Sequence, residues 1–394
     1  MRAAAVLQRV LWNVLEPLHA FRRRGLLLAV EAALHCRRLT LIDLARSLPE
    51  TARVRTALKR LDRLLSNRGL HQARDGLYQA MTRGLLSGPS PLIVVDWSDL
   101  KRDGRWCLLR AAVPVGGRSL TVLEEVVSSQ HLGDGKVQKR FLRRLKAMLP
   151  ADVCPILITD AGFRSDWFAA VQALHWHWIG RLRGRVRVRL CSQPAWPMCS
   201  ELHALQRGSA RDLGCAQITR SRALMGRLVL AGKRRLQGRH ALTRAGSRSA
   251  DRRDLDAAQS LREPQLLACS LSLHASTAHA IVALYRRRMQ IEESFRDLKS
   301  HRFGMGFEDS QSRKAERLQM LLLIHALAQW VAWLMGLAAI TLRLDRLLAP
   351  NASRTLHYST MRIGREAIVR CWPGLLACPL RPHDVPIDAR PLAA

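Results

Sequence analysis

The decisive segment of this chain is Tyr285-Arg-Arg-Arg288-Met-Gln-Ile-Glu292-Glu-Ser-Phe-Arg-Asp-Leu-Lys299. Steps of three, four and seven residues place four polar side chains on one stripe of a helix, namely Tyr285, Arg288, Glu292 and Lys299. A second, apolar stripe consists of Leu284, Ile291, Phe295 and Leu298. The polar stripe can line a groove, where a carboxylate flanked by cations is suited to hold a metal ion next to phosphates. The alternative is a solvated amphipathic helix with ordinary surface ion pairs.

The charge of the chain is strongly positive. Lys and Arg number 64 against 31 Asp and Glu, which gives a formal net charge of +33. Such a surface repels itself unless a polyanion shares it, so nucleic acid is the expected partner. An arginine-rich codon bias explains part of the excess, since only eight of the basic residues are Lys, but it does not explain the imbalance of sign.

The cysteines and the N-terminus indicate the compartment. The nine Cys residues form no C-x-x-C pair and show no His and Cys spacing typical of a zinc site. The N-terminus lacks the uninterrupted apolar core of a signal peptide, because Gln8, Arg9 and Asn13 interrupt it. We therefore expect reduced thiols in a cytoplasmic, nucleoid-associated protein.

Residues 318–344 are apolar enough to resemble a membrane-spanning helix. The run nevertheless contains Gln319, His325, Gln329 and Arg343, which are costly in lipid. The pattern therefore favours a buried core helix over a membrane protein. We expect no membrane association.

Residues 1–88 show a helical pattern, with Leu at helical spacings and many Arg between them. This pattern predicts a small helical domain that binds DNA. Within it, Leu39–Arg46, a break at Pro49 and Ala52–Leu61 are compatible with a helix-turn-helix. The second helix carries the basic residues Arg53, Arg55, Lys59, Arg60 and Arg63. A structural bundle with a basic exterior is an equally weighted alternative.

Two short apolar runs each end at an aspartate. Leu92-Ile-Val-Val95 precedes Asp96, and Pro155–Thr159 precedes Asp160. Both runs indicate buried strands that carry a carboxylate at their tip. If the two strands lie side by side and the helix bearing Glu292 packs across them, three carboxylates supply hard oxygen ligands for Mg²⁺ or Mn²⁺.

The elements around these strands follow from local pattern. An antiparallel hairpin is predicted for Cys107–Val113 and Ser119–Val127, joined around Gly116 and Gly117. Helices are predicted for Val137–Met148, Ser165–Leu174 and residues 308–349. Residues 350–394 contain many prolines and are predicted to form an irregular tail.

The order Asp96-Trp-Ser-Asp99, Asp160-Ala-Gly-Phe163 and Tyr285-x2-Arg288-x3-Glu292-x6-Lys299 resembles the DDE transposases of bacterial insertion sequences in the insertion-sequence-four group. The last motif matches the YREK signature of that group without a gap. The resemblance extends from the helical N-terminus through at least residue 310. It implies an α/β fold with an RNase H-like catalytic core, a β-rich insertion and a helical N-terminal DNA-binding domain.

The local pattern places a helical domain at residues 1–88 and a tail at residues 350–394. The resemblance divides the rest into the first part of the core at 89–175, the insertion at 176–275 and the second part of the core at 276–349. Short strands are expected in the insertion at Trp178–Leu182, Val186–Leu190, Leu228–Leu230 and Gln265–Ser270. The Arg-rich loop Lys233–Arg253 either follows a DNA backbone or is a plain solvated loop.

The site residues implied by the resemblance are Asp96, Asp160 and Glu292 as catalytic metal ligands, with Mg²⁺ as the cofactor that Mn²⁺ can replace. Tyr285, Arg288 and Lys299 are expected to bind DNA phosphates near the cleaved end. Double-stranded DNA, as element ends and as target, is the expected partner, and a homodimer is expected because two ends must be paired. Asp99 and Asp166 rank lower as metal ligands, because neither follows a strand directly.

One position departs from the family pattern. Members of the group commonly carry a Trp at the start of the last insertion strand, where its ring can stack on a flipped base during hairpin formation. Gln265 stands at the corresponding place and offers no aromatic surface. Trp176, Trp178 or Trp196 could take its role, although an aromatic residue in such a segment is more often part of a core.

Two other functions remain compatible with the sequence. A metal-dependent DNA nuclease would use the same carboxylates without strand transfer. An inactive, transposase-derived DNA-binding protein would keep the basic surface without cleavage.

Overall fold

The computed structural model describes residues 3–49, 53–86, 88–232, 248, 250–252, 255, 263–302, 304–349 and 358–378. The chain forms two compact units. Unit 1 comprises Met1–Val153 and Met289–Ala394, and unit 2 comprises Cys154–Arg288. Each unit combines helices with β-strands, which agrees with the predicted α/β class. Most of the predicted Arg-rich loop, from 233 to 247, lies outside the described residues.

Unit 1 begins with helices α1 (Ala3–Leu15), α2 (Ala20–His35), α3 (Leu41–Arg46), α4 (Val54–Leu65) and α5 (Arg68–Leu85). Their leucines supply the buried faces. Side-chain oxygens cap two of the helices, since Thr40 accepts from the Asp43 N–H at 3.2 Å and Asn67 accepts from the Leu70 N–H at 3.1 Å. Helices α3 and α4 correspond to the predicted helix pair. All five basic residues predicted on its second helix are exposed.

Three antiparallel strands follow, β1 (Leu92–Asp99), β2 (Trp106–Pro114) and β3 (Ser119–Ser128), with β2 between the other two. The predicted hairpin is therefore confirmed. Its turn places Gly116 and Gly117 at φ +72° and +85°, where a residue with a Cβ is strained. Helix α6 (Gly135–Met148) buries Val137, Phe141, Leu142 and Leu145 on its apolar face.

Unit 2 contains β4 (Ile156–Thr159), α7 (Ser165–Gln172), β5 (His177–Leu182), β6 (Val188–Leu190), β7 (Arg211–Ile218), β8 (Leu224–Ala231), β9 (Gln265–Cys269) and α8 (Ala278–Arg286). Within the unit the strand order is β4-β5-β9-β8-β7-β6. Only the β4–β5 pair is parallel among the pairs that the structure describes here. Strand β7 was not predicted, because its alternation is interrupted by a register shift at Asp212 and Gly214.

The remaining helices of unit 1 are α9 (Met289–Lys299), α10 (Ala315–Thr341) and α11 (Thr360–Val369). Helix α10 has 27 residues and is apolar enough to cross a membrane, but 94% of its most apolar window is buried inside the protein. It therefore forms the core of unit 1, as the polar residues within the run predicted.

The prediction of an irregular tail from residue 350 is wrong for Thr360–Val369, which forms α11. This helix buries Met361, Ile363 and Ile368 against unit 1. It packs so closely on α10 that a Cβ at Gly364 would clash with the Ala332 carbonyl oxygen. The prolines that suggested an irregular tail flank this helix and do not interrupt it. Residues 379–394 lie outside the described part of the chain.

Candidate active site

Asp96 lies within a strand and not at its tip. Strand β1 continues to Asp99, because Trp97, Ser98 and Asp99 pair with the neighbouring strand β2. The prediction that Asp96 ends the strand is therefore wrong. Its side chain is only 7% exposed, and its Oδ1 atom accepts a hydrogen bond from the Trp97 N–H at 2.8 Å. The extra pairing holds the Asp96 carboxylate on a rigid element.

Glu292 and Lys299 both lie on α9 and are half-buried. The apolar face of this helix consists of Ile291, Phe295 and Leu298, as predicted. The Lys299 Nζ atom donates to the Ser98 Oγ atom at 2.9 Å and to the Asp99 carbonyl oxygen at 3.2 Å. The last turn of the helix that bears Glu292 is thereby bonded to the strand that bears Asp96.

The segment Tyr285–Lys299 does not form one helix. Helix α8 ends at Arg286, residues 287 and 288 form a turn, and α9 starts at Met289. The turn is closed by bonds between residues three apart, from the Arg287 N–H to the Leu284 carbonyl and from the Arg288 N–H to the Tyr285 carbonyl. The predicted single stripe is therefore wrong. The boundary between the two compact units falls at the same place, after Arg288.

Asp160 directly follows β4 in unit 2, as predicted. Its Oδ1 atom accepts a hydrogen bond from the Gly162 N–H at 2.9 Å, and a Cβ at position 162 would lie 3.1 Å from that same oxygen. A tight turn without a side chain thus fixes the direction of the Asp160 carboxylate.

Tyr285 lies in the same unit, buried to 4% exposure. Burial raises the pKa of the Tyr285 phenol, the charges of Arg288 and Arg181 lower it, and the Asp160 carboxylate raises it. The guanidinium carbon of Arg288 lies 5.8 Å from the centre of the Tyr285 ring. Unit 2 therefore brings together an aspartate, a neutral phenol and two guanidinium groups. Arg181 was not predicted, because it is a single cation within the short strand β5.

The sequence profile described as the transposase DDE domain matches residues 87–330. The chain belongs to this family. It is therefore a DDE transposase, an enzyme of DNA transposition and recombination. The comparison with curated proteins found no match. Among solved structures, the chain is similar to a piggyBac transposase in a synaptic complex with hairpin DNA. That similarity has 11% sequence identity and a TM-score of 0.41, and it covers 91% of this chain and 71% of the other.

DDE transposases use divalent metal ions. The donor chemistry of this DDE transposase fits such an ion, because Asp96 and Asp160 each hold a carboxylate in a fixed direction through a backbone N–H. Among the residues that the structure describes, no three His, Cys, Asp or Glu side chains are grouped closely enough to hold an ion. The convergence of Asp96, Asp160 and Glu292 thus stays a prediction.

The aromatic candidates of this transposase differ in exposure. Trp176 and Trp178 are buried and belong to the core of unit 2. Trp196 is half-exposed, and the guanidinium of Arg189 lies 5.3 Å from its ring. Gln265 stands at the start of β9, where the sequence predicted a strand to begin. Of the three tryptophans, only Trp196 therefore presents a ring surface that a base could reach.

A buried ionic cluster in this transposase was missed by sequence reasoning. The Arg110 Nε atom donates to the Glu124 Oε2 atom at 2.8 Å, and the Tyr78 hydroxyl donates to the Glu124 Oε1 atom at 2.5 Å. Arg110 pairs with Asp96 in strand register, and its guanidinium lies 5.1 Å from the Phe295 ring of α9. The available signal was a charged residue within each of two mainly apolar strands.

Proposed function

We propose that this chain binds the ends of an insertion sequence and catalyses metal-dependent DNA strand cleavage and strand transfer by a cut-and-paste route. Membership of the DDE transposase family supports the reaction type. The YREK spacing supports assignment to the insertion-sequence-four group. In this proposal the fold is an RNase H-like core with a β-rich insertion at residues 176–275 and a helical DNA-binding domain at residues 1–88.

The observation that carries the proposal is the bond from the Lys299 Nζ atom to the Ser98 Oγ atom at 2.9 Å. It joins α9, which bears Glu292, to β1, which bears Asp96. Two of the three predicted carboxylates therefore lie on elements that are bonded to each other. A helix with only a solvated polar face would not need such a bond.

In the proposed mechanism, Asp96, Asp160 and Glu292 bind Mg²⁺, for which Mn²⁺ can substitute. When bound by these residues, divalent ions would supply Lewis-acid activation of an attacking water or 3′-hydroxyl and stabilisation of the departing oxygen. The Trp97 and Gly162 N–H groups hold two of these carboxylates in place. Arg288 and Lys299 neutralise phosphates near the cleaved end, and the Tyr285 hydroxyl donates to one of them.

The partners follow from charge and from the reaction. The net charge of +33 favours a polyanion, and a DDE transposase acts on DNA. We propose double-stranded DNA as the partner, both as element ends and as target. A homodimer would pair two ends, and the cell compartment would be the cytoplasm, where the nucleoid lies.

The test is incubation of the purified protein with linear DNA that carries the ends of its element, with Mg²⁺ or with EDTA, followed by strand-resolved gels. Asp160→Asn is expected to abolish metal-dependent cuts while end binding persists, because affinity depends mainly on basic side chains. Asp166→Asn makes the same change six residues away, on an exposed carboxylate paired with Arg222 at 2.9 Å, and serves as the matched control.

A second matched pair tests the helix. Glu292→Gln is expected to abolish cleavage, whereas Glu293→Gln, which changes the adjacent carboxylate that pairs with Arg296, is expected to retain it. Specific end binding without any cuts in the unaltered protein would contradict the proposal and indicate an inactive copy. Cuts without joining of the 3′ end to a target would indicate a nuclease.

A further inference from the structure

Unit 1 contains a groove between the N-terminal ends of α5 and α10, with a volume of about 920 Å³. Ser66 lines it from the end of α4, and Arg68 and His71 line it from the start of α5. Lys314 and Arg317 line it from the start of α10. The positive ends of two long helices therefore face the same space, in addition to the cationic side chains.

A second cavity of about 350 Å³ adjoins this groove. It is lined by Lys101, Arg102 and Arg105 from the loop between β1 and β2, while Gln311 and Arg313 line both cavities. We call the two cavities together the Arg313 groove. One end of it begins two residues after Asp99, whose carbonyl oxygen accepts from Lys299. The loop that follows β1, the strand that bears Asp96, thus contributes to the lining of the groove.

The backbone of the segment Ser310–Arg313, between the two cavities, is held in place by the side chains of Lys101 and Trp106. The Lys101 Nζ atom donates to the carbonyl oxygens of Ser310 and Ser312, the latter at 2.8 Å. The Trp106 Nε1 atom donates to the Arg313 carbonyl oxygen at 3.0 Å. Because the backbone is held in this way, the exposed Arg313 side chain projects from a defined position.

The cations of the Arg313 groove fall into two sets. Arg102 pairs with Glu308 at 2.7 Å, and Arg317 pairs with Asp62 at 2.6 Å, so these two build the walls. A second set consists of the exposed residues Arg68, Arg105, Arg313 and Lys314. Within the described part of the chain, the side chains of this second set make no hydrogen bond or ion pair. The acids that line the groove are Asp103, Glu308, Asp309 and Glu316, of which Asp103 and Glu316 are exposed.

The cations also repel one another. Burial lowers the pKa of the Lys101 ammonium group, the Asp103 carboxylate opposes this, and the nearby Arg313 lowers it further. Like charges held close together by a fixed backbone are unfavourable in the free protein, and a bound polyanion relieves the repulsion.

We infer that the Arg313 groove binds the phosphodiester backbone of DNA through Arg68, Arg105, Arg313 and Lys314. The inference rests on the proposed function and deepens it, because it names a surface outside the carboxylate site that holds the DNA. Guanidinium and ammonium groups bind phosphate oxygens without reading sequence, so the groove is expected to position any DNA equally.

The test compares two triple variants of the full chain that change the net charge equally. The groove variant is Arg68→Glu, Arg313→Glu and Lys314→Glu. The control variant is Lys139→Glu, Arg143→Glu and Lys146→Glu, all exposed residues of α6 that line neither cavity. Binding to a fluorescein-labelled DNA duplex of random sequence is measured by fluorescence anisotropy over a series of salt concentrations.

The groove variant is expected to bind at least about tenfold more weakly than the control. The slope of log K against log salt is negative, and its magnitude is expected to decrease by about 0.9 for each phosphate that the variant no longer neutralises. Equal affinities and equal slopes for the two variants would overturn the inference. If the groove variant does not fold, as judged by circular dichroism, Arg313→Gln with Lys314→Gln takes its place, compared with Lys139→Gln and Arg143→Gln.

End cleavage by the unaltered protein is measured in parallel. Cleavage together with equal variants would leave the transposase proposal intact and reject the groove. Groove-dependent binding without cleavage would support the groove and reject the proposed reaction.

Discussion

Arg110 and Glu124 form an ion pair inside the protein, with the Arg110 Nη2 atom 2.7 Å from the Glu124 Oε2 atom and side chains only 1% and 2% exposed. Both charges lie on adjacent strands of unit 1, and the Tyr78 hydroxyl satisfies the second oxygen of Glu124. Removing two charges from water is costly, so such a pair is stable only when its geometry and hydrogen bonds are complete.

Glu124→Leu is expected to destabilise the protein by about 3–5 kcal/mol, because it leaves the Arg110 charge buried without a partner. Chemical unfolding measured by circular dichroism gives the free energy of unfolding. The triple variant Arg110→Met, Glu124→Leu and Tyr78→Phe removes the whole cluster and is expected to recover most of the loss. Equal destabilisation by the single and triple variants would contradict this account.

His325 is expected to make the protein sensitive to acid. It is fully enclosed in unit 1, where burial, and then the charges of Arg110 and Arg365, lower its pKa to about 3. In the unfolded chain the pKa of the His325 imidazole is about 6.5. As the pH falls, the unfolded chain therefore binds the imidazole proton before the folded protein does. Stability is therefore complete above that pH and is lost, by up to about 1.4 kcal/mol per pH unit, as the pH falls toward 3.

His325→Leu is expected to flatten that part of the curve of unfolding free energy against pH. His279→Leu, which alters an exposed histidine of unit 2, is the matched control. An unchanged slope in His325→Leu would show that other groups cause the acid sensitivity.

Gly364→Ala is expected to lower stability by about 1–3 kcal/mol or more, because the added methyl group would meet the Ala332 carbonyl oxygen and force α10 and α11 apart. Gly135→Ala on α6 is the matched control, since a Cβ there meets nothing within 4 Å. That change should be neutral or stabilising, because Ala favours a helix more than Gly does. Thermal unfolding of both variants measures the difference.

Cys191 and Cys215 are expected to form a disulfide under oxidising conditions. Cys191 directly follows β6 and Cys215 lies on β7, and their sulfur atoms are 2.9 Å apart. The side-chain hydrogen bond with Cys191, followed by burial, raises the pKa of the Cys215 thiol to about 11. Oxidation by glutathione disulfide should therefore be slow at neutral pH and faster in alkali. Peptide mass spectrometry detects the linked pair, and Cys215→Ser should abolish it.

Lys299→Ala is expected to reduce end cleavage by about 10- to 100-fold without abolishing it, since one charge-assisted hydrogen bond contributes about 1.5–3 kcal/mol. Ser98→Ala removes one anchor of the same ammonium group and should cause a smaller loss. Strand-resolved gels with single-turnover kinetics measure both. Complete loss of cleavage in Lys299→Ala, with folding intact, would indicate a direct role at the reacting phosphate.

Local pattern predicted much of the fold, because apolar runs and leucine spacings depend on burial alone. It placed Asp160 after its strand and recognised α10 as a core helix. It failed where non-local pairing decides the structure. Asp96 is inside a strand because β2 continues alongside it. The turn at Arg287 and Arg288 contains neither Gly nor Pro. The local sequence therefore gave no signal that the segment Tyr285–Lys299 contains two helices.

Buried charges were equally hard to predict. Arg110 and Glu124 occupy strand positions that an alternating pattern would assign to solvent, and only their pairing across β2 and β3 allows both to be buried. The same distinction between local pattern and long-range contact applies to the candidate site. The types of the site residues could be predicted from their spacing. The bond from Lys299 to Ser98 could not, because it joins residues 201 positions apart in the sequence.

The close packing of α10 and α11 bears on how copies of such a gene can lose activity. A frameshift or stop codon between residues 342 and 359 would leave every proposed metal ligand encoded and remove the helix that covers Gly336 and Ala332. The shortened product would expose part of its central helix and become a substrate for cellular proteases. Mutational decay could therefore silence a copy from its 3′ end while its catalytic codons remain unchanged.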